Sequence, residues 1–221
     1  MLEKKEYYII ACQEFTLINE YYNAIKTEVE KDYEYYIYPE TWKEGHFKSV
    51  FIIKKALEDK VSDLEILNFA KTDRYTCIKI TFEDKKKLIL VNMHIDEGDE
   101  HNEVIKQIKN LEPREKIILL GDFNSYTNNQ VNSKEVKYKS KTSTFIENIK
   151  NIKGKDSYIE CGEDKDYTYC SSGIWCKLDH ILISKGLKEF ESEFIENINF
   201  SKNKQEGFTD HCMLSIIIND F

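Results

Sequence analysis

Two stretches constrain the fold more than any other part of the chain: "KKKLILVNMHI" at 85–95 and "KIILLGD" at 116–122. Each is a continuous aliphatic run bounded by polar or turn-forming residues, which suits a strand buried on both faces. Shorter runs of the same kind recur. They predict strands over 6–12, 33–38, 47–55, 64–69, 74–82, 87–94, 116–120, 178–184, 189–195 and 211–218. Helical spacing is rarer. Phe15, Ile18, Tyr22 and Ile25 share a face in "EFTLINEYYNAIKTEVE", as do Val104, Ile105, Ile108 and Leu111 in "DEHNEVIKQIKNLEP". A third helix is expected over 143–152. Many strands with few helices between them predict a two-sheet core with helices packed outside.

The 221 residues suit one domain, large enough to bury a real core. Only two prolines and eight glycines are present, so long disordered linkers are not expected. No segment approaches the ~20 apolar residues that cross a bilayer, and the N-terminus lacks the cleavage site of a signal peptide. The cysteines (Cys12, Cys77, Cys161, Cys170, Cys176 and Cys212) are scattered, which predicts reduced thiols in a cytoplasmic protein. Cys170, Cys176 and His180 in "CSSGIWCKLDH" match no common zinc spacing. A net charge of −8 excludes a generally basic nucleic-acid coat. It leaves room for a local basic groove, with lysines crowded at 48–55 and 137–155, although most lysines fit solvated faces.

Chemistry-bearing residues cluster at the ends of the apolar runs. In "LLGDFNS", Asp122 and Asn124 follow a buried strand. Gly, Asp and Asn are also the usual turn formers, so a plain turn accounts for them equally well. In an extended segment the two would project to one side, where a carboxylate and a carboxamide can hold water and donate to a phosphoryl oxygen. "FTDHCMLSIII" sets Asp210 and His211 before the last apolar run, and "CKLDHILIS" offers Asp179 as a carboxylate partner for His211. His180, its neighbour, points to the opposite face and reads as structural. His94 and Asn92 close the long run in "LILVNMHID". Glu14 alone is an ordinary helix-opening glutamate, and His101 is expected to be exposed on its helix. Taken together, five apolar segments border residues suited to one reaction: Glu14, His94, Asp122 with Asn124, Asp179, and Asp210 with His211. Phosphodiester chemistry needs such a set: carboxylates for Mg²⁺, a base for water, and donors for the phosphoryl oxygens.

The order "CQEF", "VNMHID", "GDFN", "KLDHILIS", "FTDHCML" resembles the endonuclease/exonuclease/phosphatase superfamily, the deoxyribonuclease I-like fold, over residues 8 to 218. "GDFN" and the closing "DH" are the most specific marks, and "YTYC" at 167–170 is similar to a threonine-aromatic element before the Asp-bearing strand. The resemblance implies an α/β, four-layer sandwich of two packed mixed β-sheets flanked by helices. It implies Glu14 and Asp210 as metal ligands and His94 as a phosphate contact or acid. Asp122 and Asn124 match the pair that orients water and stabilises the transition state, and His211 the histidine near the scissile phosphate, with Asp179 as its partner. The cofactor so implied is Mg²⁺, with Mn²⁺ as a substitute.

In one respect the sequence departs from that pattern. Family members ordinarily open with an asparagine-bearing strand well upstream of the glutamate, but only thirteen residues precede Glu14 here, none of them asparagine. The expectation is a single domain over 1–221, short at its N-terminus, with a sheet edge open to another strand or a second copy. The function expected is a divalent-metal-dependent phosphodiester hydrolase, a nuclease acting on DNA or RNA. The alternatives are a phosphatase or phosphodiesterase on inositol phosphates, lipid headgroups or nucleotides, and a catalytically weak binding homologue.

Overall fold

The computed structural model describes residues 8–16, 23, 25–32, 35–39, 47–69, 73–95, 100–111, 116–127, 130–131, 143–152, 158–171, 174–187, 190–195 and 211–218. They form two units, Met1–His94 and Ile95–Phe221. Among the described residues no helix is long and apolar enough to cross a membrane.

In the first unit, β1 (Ile9–Thr16), β2 (Tyr35–Tyr38) and β3 (Phe47–Lys54) make an antiparallel sheet with β3 in the middle. Val50, Phe51, Ile52 and Ile53 of β3 are all buried, as the unbroken apolar run requires. A π-helical turn at Glu28–Asp32 contributes Val29 to a cluster with Tyr35, Ile37, Val50 and Ile52. A second sheet is the antiparallel meander β4 (Val61–Leu67), β5 (Tyr75–Phe82) and β6 (Lys87–His94). In β6 every residue from Leu88 to Met93 is buried, Asn92 included.

Asn92 shows how the two sheets of this unit are joined. Its amide nitrogen donates to the carbonyls of Cys12 on β1 (3.0 Å) and Val50 on β3 (2.8 Å). Its oxygen accepts from Gln13 Nε2 at 2.6 Å. Beside it, Ser49 Oγ donates to the Arg74 carbonyl at 2.6 Å, and Thr76 Oγ1 donates to the Ser49 carbonyl. Buried polar groups must be paired, so these bonds set one register between the sheets where apolar contacts alone would tolerate several.

The second unit contains α1 (Glu100–Asn110), β7 (Lys116–Asp122), α2 (Ser143–Lys150) and β8 (Tyr158–Glu160). These are followed by β9 (Tyr169–Ser171), β10 (Ile174–Cys176), β11 (Asp179–Ser184), β12 (Phe190–Ile195) and β13 (Met213–Ile218). β11 is central, antiparallel to β7 on one side and β8 on the other. β9 pairs with β10, and β12 with β13. His101, expected to be exposed, is buried and stacks on Phe145 of α2 at 4.2 Å between ring centroids. The reason is helical geometry: residues 101, 104 and 108 form one stripe, and Val104 and Ile108 are the buried face of α1.

A buried charged cluster lies beside β11. Glu160 accepts from His180 Nδ1 (2.8 Å) and Gln130 Nε2 (2.7 Å), pairs with Lys177 Nζ (3.3 Å), and also contacts Lys150. The Lys177 side chain is fully buried, and its ammonium also donates to the carbonyls of Cys161 (3.2 Å) and Glu163 (3.1 Å). Burial alone would raise the Glu160 carboxyl. The His180 hydrogen bond and the charges of His180 and Lys177, with Lys150, outweigh it and hold the group below the usual carboxylate range. Burial pushes the Cys77 and Cys161 thiols up to about 12, so neither is a nucleophile at neutral pH. The cysteines Cys12, Cys77, Cys161, Cys176 and Cys212 are free thiols.

Two outcomes are expected. Replacing Asn92 with Leu keeps its branched outline but strips three bonds, and should lower unfolding free energy by about 2–4 kcal/mol in urea titrations. Glu160→Gln leaves the buried Lys177 ammonium without its carboxylate partner and should cost about 3 kcal/mol at pH 7. A depressed carboxyl takes up its proton more readily unfolded than folded, so its contribution is complete at neutral pH and lost as pH falls below about 4.5. The wild-type advantage over Glu160→Gln in urea midpoint should therefore shrink steadily between pH 5 and the acid limit of folding.

Candidate active site

The "GDFN" segment is a turn whose geometry places its own side chains. Gly121 sits at φ +127° and Asn124 at φ +45°, backbone regions that glycine and asparagine tolerate best. Asp122 ends β7 and accepts the backbone N–H of Asn124 on Oδ1 at 2.8 Å. Asn124 in turn donates from its side chain to the Ile95 carbonyl at 3.0 Å, and the Ile95 N–H donates to the Asp122 carbonyl at 2.9 Å. The extended arrangement expected for Asp122 and Asn124 is thereby replaced. The chain folds back after Phe123, whose N–H donates to the Leu178 carbonyl at 2.9 Å.

Asp179 lies directly opposite Asp122 in the β11–β7 ladder. His211 meets both: Nδ1 is 2.7 Å from Asp179 Oδ2, and Nε2 is 4.0 Å from Asp122 Oδ2. An Nδ1–H donated to Asp179 leaves Nε2 directed into the gap facing Asp122. One oxygen of each carboxylate and a ring nitrogen of His211 lie within 4.8 Å of one another. Two hard carboxylate donors suit a divalent cation of the Mg²⁺ type, with the remaining positions left to water and substrate oxygens. Asp210 lies outside the described residues.

Thr168 organises this group. It is fully buried, and its Oγ1 accepts two backbone N–H groups, those of Leu178 (3.0 Å) and Asp179 (2.9 Å). Its carbonyl accepts the Cys212 N–H at 2.7 Å. The next residue, Tyr169, bridges to His211 in the backbone and packs its ring 5.0 Å from the imidazole. The threonine-aromatic element is visible in the sequence, but its task is not. Its position shortly before the Asp-bearing strand, with only β9 and β10 between Thr168 and β11, is the available signal.

In the first unit, Glu14 was expected to open a helix. It lies instead inside β1, in a bulge where the β1–β3 register shifts between Cys12 and Phe15, with φ +53°. The bulge turns its side chain outward, 63% exposed, and brings Oε1 to 3.8 Å from Nδ1 of the largely buried His94. Gln13, one residue earlier, is tied to Asn92, so the bulge is held from its buried side.

With this geometry established, the chain was compared with known proteins. No protein-family model and no curated protein sequence matches it. Solved structures do. An endonuclease/exonuclease/phosphatase family protein from Leptotrichia buccalis superposes over 99% of this chain and 90% of its own, with a TM-score of 0.65 and 20% identity. The fold is that of the endonuclease/exonuclease/phosphatase proteins. Truncated Caenorhabditis elegans TDP2 matches 95% of the chain and 83% of its own (TM-score 0.56, 14% identity). ANGEL2, described as a 2′,3′-cyclic phosphatase, matches 85% of the chain and 71% of its own (TM-score 0.52, 12% identity). The likeness therefore lies in the path of the backbone far more than in the residues.

Thr168→Val removes the one acceptor shared by two N–H groups without changing shape. It should cost about 2–4 kcal/mol in chemical denaturation, whereas Thr168→Ser should recover most of it.

Proposed function

We propose that this protein is a divalent-metal-dependent phosphodiester hydrolase whose substrate is nucleic acid, DNA or RNA. The observation that carries the reading is His211 held by Asp179 at 2.7 Å with its other nitrogen facing Asp122 across 4.0 Å. An oxygen set to one side of that gap can reach both groups at hydrogen-bond distance. In this reading Asp179 fixes the imidazole tautomer and steadies its charged form, as a buried carboxylate does for a general base or acid. Asp122 orients the attacking water and accepts its proton, and Asn124 donates to a phosphoryl oxygen as the transition state forms. Glu14 and Asp210 are assigned as metal ligands and His94 as a phosphate contact, by the resemblance of their motifs. A bound Mg²⁺ or Mn²⁺ supplies charge neutralisation at the phosphoryl oxygens. The four-layer arrangement of sheets and helices is part of the same proposal.

A second reading keeps the chemistry and changes the substrate to a small phosphoester. The net charge of −8 favours it, since a strongly acidic surface repels a polyanion.

The test offers plasmid DNA, single-stranded RNA, an RNA ending in a 2′,3′-cyclic phosphate and a nucleoside monophosphate, each with Mg²⁺, Mn²⁺ or EDTA. Metal-dependent cleavage of a nucleic acid is expected, with His211→Ala and Asp122→Ala each losing about 10²–10⁴-fold in kcat. Turnover that survives both EDTA and these substitutions would sink the proposal. Faster turnover of the monophosphate than of any polymer would transfer it to the second reading.

A further inference from the structure

The mechanism above leaves the buried charged cluster around Glu160 without a task. Placing charges in a protein interior is costly, and well-packed apolar side chains commonly stabilise such a site as well or better. The cluster's hydrogen bonds show where its effect is felt. His180 follows Asp179 directly on β11, so the two side chains leave opposite faces of the strand. Asp179 reaches His211. His180, fully buried, donates from Nδ1 to Glu160 Oε1 at 2.8 Å and from Nε2 to the Ser125 carbonyl at 2.7 Å. Ser125 is itself fully buried and is the residue after Asn124.

A second tie runs from the same carboxylate. Gln130 Nε2 donates to Glu160 Oε1 at 2.7 Å, and Gln130 Oε1 accepts the Thr127 N–H at 2.9 Å. Glu160 thus reaches the segment beyond Asp122 at two points, Ser125 and Thr127. That segment contains Asn124 at φ +45°, a left-handed turn position at which its backbone direction, and so the aim of its side chain, depends on the neighbouring residues. Phe123, between the two site residues, packs against the His180 ring at 5.4 Å.

We propose that His180 is a positioning residue that fixes the Asp122–Asn124 turn, through the Ser125 carbonyl, from the face of β11 opposite His211. It touches no reacting atom. Its effect passes through the Ser125 carbonyl into the backbone that carries Asn124. The catalytic consequence rests on the hydrolase reading, whereas the effect on the turn does not.

Two near-isosteric substitutions separate the two hydrogen bonds. Asparagine places its amide nitrogen near Nδ1, so His180→Asn keeps the Glu160 contact and drops Ser125. Glutamine places it near Nε2, so His180→Gln keeps Ser125. Amide hydrogen exchange is read at Phe123, Asn124 and Thr127, alongside kcat and KM for bis(p-nitrophenyl) phosphate with Mg²⁺. His180→Asn should speed exchange at these three amides at least about 10-fold relative to those of β7. It should also lower kcat about 100-fold with KM within about 3-fold, the pattern of a misplaced catalytic group. His180→Gln should return both readouts to within about 3-fold of wild type. Equal behaviour of the two variants, or unchanged exchange at the three amides in His180→Asn, overturns the proposal. If the wild-type protein turns over no phosphodiester, the hydrolase reading fails, and the exchange comparison alone still decides the positioning role.

Discussion

One side-chain oxygen, Thr168 Oγ1, holds the candidate site of the second unit together. It takes the N–H groups of both Leu178 and Asp179, which fixes where β11 begins. The carbonyl of the same residue takes the N–H of Cys212, which fixes where the last segment approaches. Asp179 and His211 are 32 residues apart in sequence, yet both are anchored to this single residue. Their 2.7 Å contact follows from that shared anchor, so neither side chain needs strain to find the other. Threonine suits the task because its hydroxyl oxygen can accept twice while its methyl group stays in the core.

The "GDFN" turn shows why turn and site were not competing explanations. The residues that let a chain reverse are small or carry short polar side chains, and those side chains are also the ones that the proposed phosphate chemistry would use. Gly121 and Asn124 occupy backbone regions closed to most residues, and Asp122 stabilises the turn with one oxygen while the other faces His211. The local backbone conformation therefore selects the same residue types as the chemistry.

The aliphatic runs at 85–95 and 116–122 were legible as strands because burial on two faces leaves an unbroken apolar signature. The three-residue strands β8, β9 and β10 were not, because a segment so short has no period to read. Glu14 was misplaced for a different reason. A β-bulge depends on the register of the partner strand, and that information lies in residues 47–54, not around Glu14. The pairing of Asp179 with His211 could be suggested from motif order. The link from Glu160 to His180 could not, since a glutamate, two lysines and a glutamine scattered over 130–177 look like any solvated set. Only the fold shows that they share one buried carboxylate.

The amide of Asn92 has a consequence for how the chain is made. It joins residues 12 and 13 to a strand about eighty positions later. At roughly 5–20 residues per second, a ribosome needs on the order of 4–16 s to deliver the partner that β1 is waiting for. During that interval the apolar run of β1 can pair with β3 once residues 47–54 are made, but nothing yet sets its place against the second sheet. β1 is thus fixed in its final place only after a strand made about eighty residues later has joined it.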